Sequence, residues 1–117
     1  MKTLIIFTIS AILFSTTTFA QQSNTDTVKV WGNCGMCKKT IEKSAKSAGA
    51  KTASWDPELH QLIVKYNADK TSNLKIQQAI AESGYDTQDV TASDEAYNKL
   101  HGCCQYDRKP AQPIIQQ

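Results

Sequence analysis

The chain has 117 residues, with 13 lysines and arginines against 11 aspartates and glutamates and a formal net charge of +2. That length suits one small domain, and the near balance of charge gives no reason to invoke nucleic acid as a partner. Its four cysteines leave a metal site, a disulfide and a redox couple as the chemistries to weigh.

Residues 1–20 have the layout of a secretory signal peptide. Lys2 supplies the positive start, Leu4 to Phe14 is apolar except for Thr8 and Ser10, and Thr18-Phe19-Ala20 ends a stretch of small polar residues. Cleavage is expected after Ala20, which makes the protein exported, into a periplasm or the medium. The apolar run falls short of the roughly 20 residues a membrane helix needs, so no membrane insertion is expected after cleavage. Losing Lys2 takes the basic count from 13 to 12 against 11 acidic residues, a net charge of about +1. All four cysteines lie in the exported part, where disulfides are permitted.

Residues 21–26 are polar and read as a flexible leader. Thr27 to Trp31 alternates, with Val28 and Val30 on one face, and predicts a strand. A loop follows that contains Cys34-Gly35-Met36-Cys37. Cys37 to Ala48 predicts a helix, because Ile41, Ala45 and Ala48 recur at helical spacing and Gly49 stops it. Lys38, Lys39, Lys43 and Lys46 fall on the remaining surface, which is a solvated face or a docking surface for an acidic partner.

Ala50 to Asp56 and Leu59 to Tyr66 predict a hairpin of strands around Asp56-Pro57-Glu58. On the second of these strands Leu62, Val64 and Tyr66 share a face; His60 and both tryptophans are given no ligand role. Thr71 or Ser72 can cap a second helix running to Ser83, with Leu74, Ile76, Ala79, Ile80 and Ala81 on its apolar side. Gly84-Tyr85-Asp86 then leads into a short fourth strand ending near Val90. This order predicts an α+β fold, a ferredoxin-like βαββαβ sandwich with two helices on one face of a four-stranded antiparallel sheet. Residues 91–108 form an extension with a short helix from Ser93 to Leu100 and the run His101-Gly102-Cys103-Cys104. Residues 109–117 read as a disordered tail.

Two cysteines separated by two residues at a helix start can grip one soft ion, because the loop turns both sulfurs inward. Unpaired N–H groups at the helix start favour negative sulfur, and Lys38 and Lys39 are expected to act in the same direction. Thiolates favour Cu(I), with Zn(II) as a competitor. Cys103 and Cys104, with His101 nearby, are auxiliary metal ligands, disulfide partners or residues with no defined role.

Residues 27–90 resemble the heavy-metal-associated domain family, which includes copper chaperones, metal-binding domains of copper-transporting ATPases and a periplasmic mercury-binding protein. The resemblance rests on Cys34-Gly35-Met36-Cys37 after the first strand, Ile41-Glu42-Lys43, the Leu62/Val64/Tyr66 strand, and Ala79-Ile80 followed by Gly84-Tyr85-Asp86. It implies Cys34 and Cys37 as metal ligands, adds Hg(II) to the candidate ions, and makes Tyr85 a shield beside the loop. It also implies a metal-transport or efflux protein with its own cysteines as partner. Just ahead of the motif, where the family has a Gly-Met pair, this chain has Trp31 and Gly32. The family methionine props the loop from below, so Gly32 is expected to leave it less supported.

The expected function is therefore that of an exported monomeric protein, a Cu(I) chaperone or scavenger, with periplasmic mercury capture as the alternative. No catalytic residue is assigned and no enzyme is expected. The rival from another class is a thiol–disulfide oxidoreductase. That reading needs a proline loop facing the cysteines, whereas Pro57 sits in a hairpin turn and Pro110 and Pro113 lie near the C-terminus.

Overall fold

The computed structural model describes residues 23–110; the expected signal peptide, residues 21–22 of the expected leader and residues 111–117 of the expected tail lie outside the described residues. The elements run β1 (Ser23–Lys29), α1 (Gly35–Ser47), β2 (Ala50–Asp56), β3 (Gln61–Asn67), α2 (Asn73–Glu82) and α3 (Asp94–Asn98), followed by a 3-10 turn at Gly102–Cys104. The strands form an antiparallel sheet in the order β1-β3-β2.

Period-2 alternation decides the covered face. Val28, Trp55, Leu62, Val64 and Tyr66 are buried, while Gln61, Ile63 and Lys65 face out. Ile41 and Ala45 of α1 and Ile76 and Ile80 of α2 join the same cluster, so the helices seal one side of the sheet. Ser72 caps α2 by accepting from the Lys75 N–H at 3.2 Å. Asp56 shapes the hairpin turn, its Oδ1 accepting from the N–H groups of Glu58 and Leu59. His60 closes that turn in the left-handed region at φ 53°, rather than lying on the strand.

Three further sequence expectations need correction. The leader is not loose from Ser23 onward: Ser23 to Asp26 pair with Asn67 to Val64 in β1. Asp26 anchors this end, with Oδ2 accepting from the Tyr66 hydroxyl at 2.6 Å and from Asn73 Nδ2 at 2.9 Å. Leu74 is exposed, and the buried face of α2 instead includes Gln77.

The third correction concerns the fourth strand, which among the described residues is a single antiparallel bridge between Val30 and Thr87. Gln77 supplies the reason. Its Oε1 accepts from the Thr87 hydroxyl and from the Asp89 N–H, each at 2.8 Å. Thr87 N–H meanwhile donates to the Val90 carbonyl at 2.8 Å. These bonds fold residues 87–90 into a turn and stop the ladder after one rung.

The segment beyond Val90 packs onto the domain. Tyr106 is buried; its hydroxyl donates to the Gly84 carbonyl and accepts from the Asp86 N–H, both at 2.7 Å. Arg108 grips Asp86 with two nitrogens, at 2.8 and 3.1 Å, and reaches Asp94 and the Ala92 carbonyl. Gly84 is required where this segment crosses. Its φ is +105°, and a Cβ there would lie 2.8 Å from the Ala96 carbonyl oxygen. Lys109, placed at the head of the expected tail, donates from Nζ to the Thr87 carbonyl at 2.8 Å.

Candidate metal centre

The loop between β1 and α1 brings the cysteines to the domain's end. Cys34 is the residue just before α1 and has an extended backbone, and its carbonyl accepts from the Lys38 N–H at 3.0 Å. Cys37 lies in the first helical turn and is buried. The N–H groups of that turn have no partner within the helix, which favours negative charge beside them.

Trp55, not Gly32, decides how the loop is supported. A Cβ on Gly32 would sit 2.9 Å from Trp55 Cη2 and 3.2 Å from Ile41 Cδ1. The indole fills the volume a side chain at position 32 would need, and its Nε1 donates to the Val30 carbonyl at 2.9 Å. The expected weakness at Gly32 is therefore corrected: a residue on β2 props the loop from below. The sequence offered a signal in the buried-face position of Trp55, but not its partner.

The sulfurs of Cys34, Cys37 and Cys104 all lie within 4.8 Å of one another. The sequence left Cys104 between two roles, and the fold brings it to the Cys34/Cys37 pair. Cys103 stays outside that trio. It is exposed, with its sulfur 3.8 Å from that of Cys104 and 3.6 Å from Met36 Sδ. All four cysteines are free thiols. His101 is exposed and contributes its carbonyl to the Cys104 N–H.

Burial works to keep Cys37 protonated, but hydrogen bonds from the backbone of Cys34 and Asn33, and from Tyr85 and Cys104, outweigh it and draw its pKa below the ordinary thiol value. Cys104 moves the other way: burial, followed by its hydrogen bonds with Cys37 and Cys103, pushes it up to about 12. The two sulfurs are thus biased in opposite directions, Cys37 toward the thiolate and Cys104 toward the thiol. Tyr85 remains a phenol, because burial and the adjacent Cys37 sulfur raise its pKa. Its ring is buried and stacks on Tyr106 at 5.6 Å, so it covers the inner side of the cluster. The Lys38 ammonium is engaged elsewhere: it donates to the Trp55 carbonyl at 2.8 Å and pairs with Glu42 at 3.0 Å.

Sulfur donors at this spacing suit a soft ion. Three thiolates around a metal at about 2.3 Å would stand about 4 Å apart, close to the arrangement already present.

The heavy-metal-associated domain family model matches residues 32–86 of the chain. Among solved structures, a CopZ metallochaperone aligns at 29% identity and a TM-score of 0.53, covering 55% of this chain and 98% of its own. Oxidized MerP from Ralstonia metallidurans CH34 aligns at 29% identity and a TM-score of 0.54, covering 57% of this chain and 96% of its own. The Cu(I)-loaded N-terminal domain of a potential copper-translocating P-type ATPase from Bacillus subtilis shares the fold at 23% identity, with a TM-score of 0.52 and coverage of 62% and 99%. No curated protein matches the chain significantly. Together with the cysteine cluster, this domain match supports heavy-metal binding.

Proposed function

We propose that this protein is an exported carrier or scavenger of a soft metal ion, Cu(I) first, gripped by Cys34 and Cys37. The observation that carries the reading is the convergence of both sulfurs in one cluster at the start of α1. Cys37 is already biased toward the thiolate that binds metal. The signal-peptide pattern at residues 1–20 supports export. The receiving partner is a metal-transport or efflux protein with its own cysteines, and the exposed Lys39, Lys43 and Lys46 along α1 suit an acidic docking face.

Hg(II) is the second ion to weigh, favoured by the MerP likeness, which matches the CopZ likeness in identity. Thiol–disulfide exchange is the competing class. Among the described residues the cysteine cluster includes no proline loop: Pro57 lies in the β2–β3 turn and Pro110 is exposed beyond Arg108.

The test is a titration of anaerobically reduced protein with Cu(I) against a competing chelator, with Hg(II) run in parallel and an insulin-reduction assay alongside. One tightly held equivalent is expected, with affinity falling by at least roughly a hundredfold in Cys34→Ser and Cys37→Ser, about 2.7 kcal/mol or more. Reductase turnover without tight metal uptake would reverse the assignment. The metal carried by protein purified anaerobically from its native compartment identifies the natural cargo.

A further inference from the structure

Cys104 lies beyond residue 86, where the family match ends, yet its sulfur sits with those of Cys34 and Cys37. We infer that this site takes three sulfurs from its own chain, with Cys104 as the third ligand. This rests on the soft-ion reading above and deepens it. The cargo class narrows to thiophilic ions that accept three thiolates, Cu(I) and Hg(II); Zn(II) would need a fourth donor to complete its tetrahedron.

The position of Cys104 is held from both sides. Downstream, the Tyr106 hydroxyl bonds Gly84 and Asp86, and Arg108 locks onto Asp86. Upstream, Tyr97 donates to the Tyr106 carbonyl at 2.7 Å and packs edge-on against its ring. At the turn itself, the Cys103 carbonyl accepts from Asn33 Nδ2 at 3.4 Å and Cys34 Sγ at 3.8 Å. Residues 91–108 therefore form a strap whose tightest point lies over the metal loop. Cys104 is 4% exposed and points into the cluster. Cys103 is the wrong neighbour for that role, since its side chain turns outward to Met36.

A two-cysteine loop alone leaves a coordination position open, where an incoming thiolate can start ligand exchange. Here the strap fills that position from within. Binding replaces S–H bonds with metal–sulfur bonds, the protons pass to buffer, and no electron changes hands. Release to a partner then requires Cys104 to yield its place, so the strap biases the protein toward holding its ion.

X-ray absorption on anaerobically loaded full chain, with Cu(I) alone as probe, decides the matter. Three sulfurs per copper are expected in the wild type and in Cys103→Ser. Cys104→Ser should still bind one equivalent, with two sulfurs and an affinity lower by more than about tenfold. Two sulfurs in the wild type overturn the inference whatever the variants do, including a variant that fails to fold. An unchanged three-sulfur shell in Cys104→Ser overturns it as well. A wild type that takes up neither Cu(I) nor Hg(II) sinks the soft-ion reading itself, and this inference with it.

Discussion

Gly32 and Trp55 show how two residues can exchange jobs. The resemblance implies a buried methionine at the position of Gly32; in this chain the Trp55 indole of β2 fills that volume. The consequence is testable. Gly32→Ala should destabilise the fold by about 1–3 kcal/mol, the usual cost of forcing an extra carbon into a packed site, because the Trp55 ring already lies 2.9 Å from where that carbon would go. Urea unfolding followed by tryptophan fluorescence measures it. An unchanged midpoint would mean that the ring moves aside freely and is no prop. Cys37 and Cys104 make a related point about chemistry. Two thiols in contact, both buried, are pushed in opposite directions because only one of them receives the backbone hydrogen bonds of the loop.

Among the elements, the strap formed by residues 91–108 depends on a few polar anchors. Tyr106 is the central one, since its single hydroxyl serves the Gly84 carbonyl and the Asp86 N–H at once. Tyr106→Phe keeps the ring packing but leaves both buried backbone groups without that partner. A loss of about 1–3 kcal/mol is expected, accompanied by faster thiol labelling of Cys104 than in the wild type. Loss of stability with unchanged Cys104 labelling would show that the strap is held over the loop by other contacts. Gln77 governs the opposite edge. By binding Thr87 and Asp89, it trades a fourth strand for a turn, and that turn directs the chain back over the sheet edge and into the strap.

For the molecule as a whole, Asp86 couples stability to pH. Burial opposes its charge, but hydrogen bonds from Arg108 and from the Ala92 and Lys109 backbone, together with the Arg108 charge, hold its carboxyl below the usual carboxylate range. A carboxylate depressed in the folded state stabilises above its unfolded pKa of about 3.9. That contribution shrinks as pH falls below this value and is gone once the folded pKa is passed. Stability should therefore drop on acidification once the pH falls below about 4. Arg108→Ala should lower stability at neutral pH and flatten this acid limb, as read from denaturant midpoints between about pH 3 and 7. An equally steep limb in the variant would assign the acid sensitivity to other carboxylates, with Asp26, also depressed by its hydrogen bonds from Tyr66 and Asn73, the next to examine.

Much of this fold can be read along the chain, because strands and helices obey local periods of two and 3.6 residues. Val28 and Val30, Ile41 and Ala45, Leu62 and Val64, and Ile76 and Ile80 announce their buried faces. Asp56-Pro57 announces the hairpin, and the spacing of Cys34 and Cys37 announces a soft-ion grip. Folding alone settled the rest: Trp55 beneath Gly32, Gln77 ending the ladder at Thr87, and Cys104 reaching a loop whose Cys34 lies 69 positions from its neighbour Cys103. Each is a contact between residues remote in the chain, and periodicity carries no information about which remote surfaces will meet. The make-up of the cysteine cluster belongs to that second group, since its third sulfur arrives only when the segment carrying Cys104 folds over the first two.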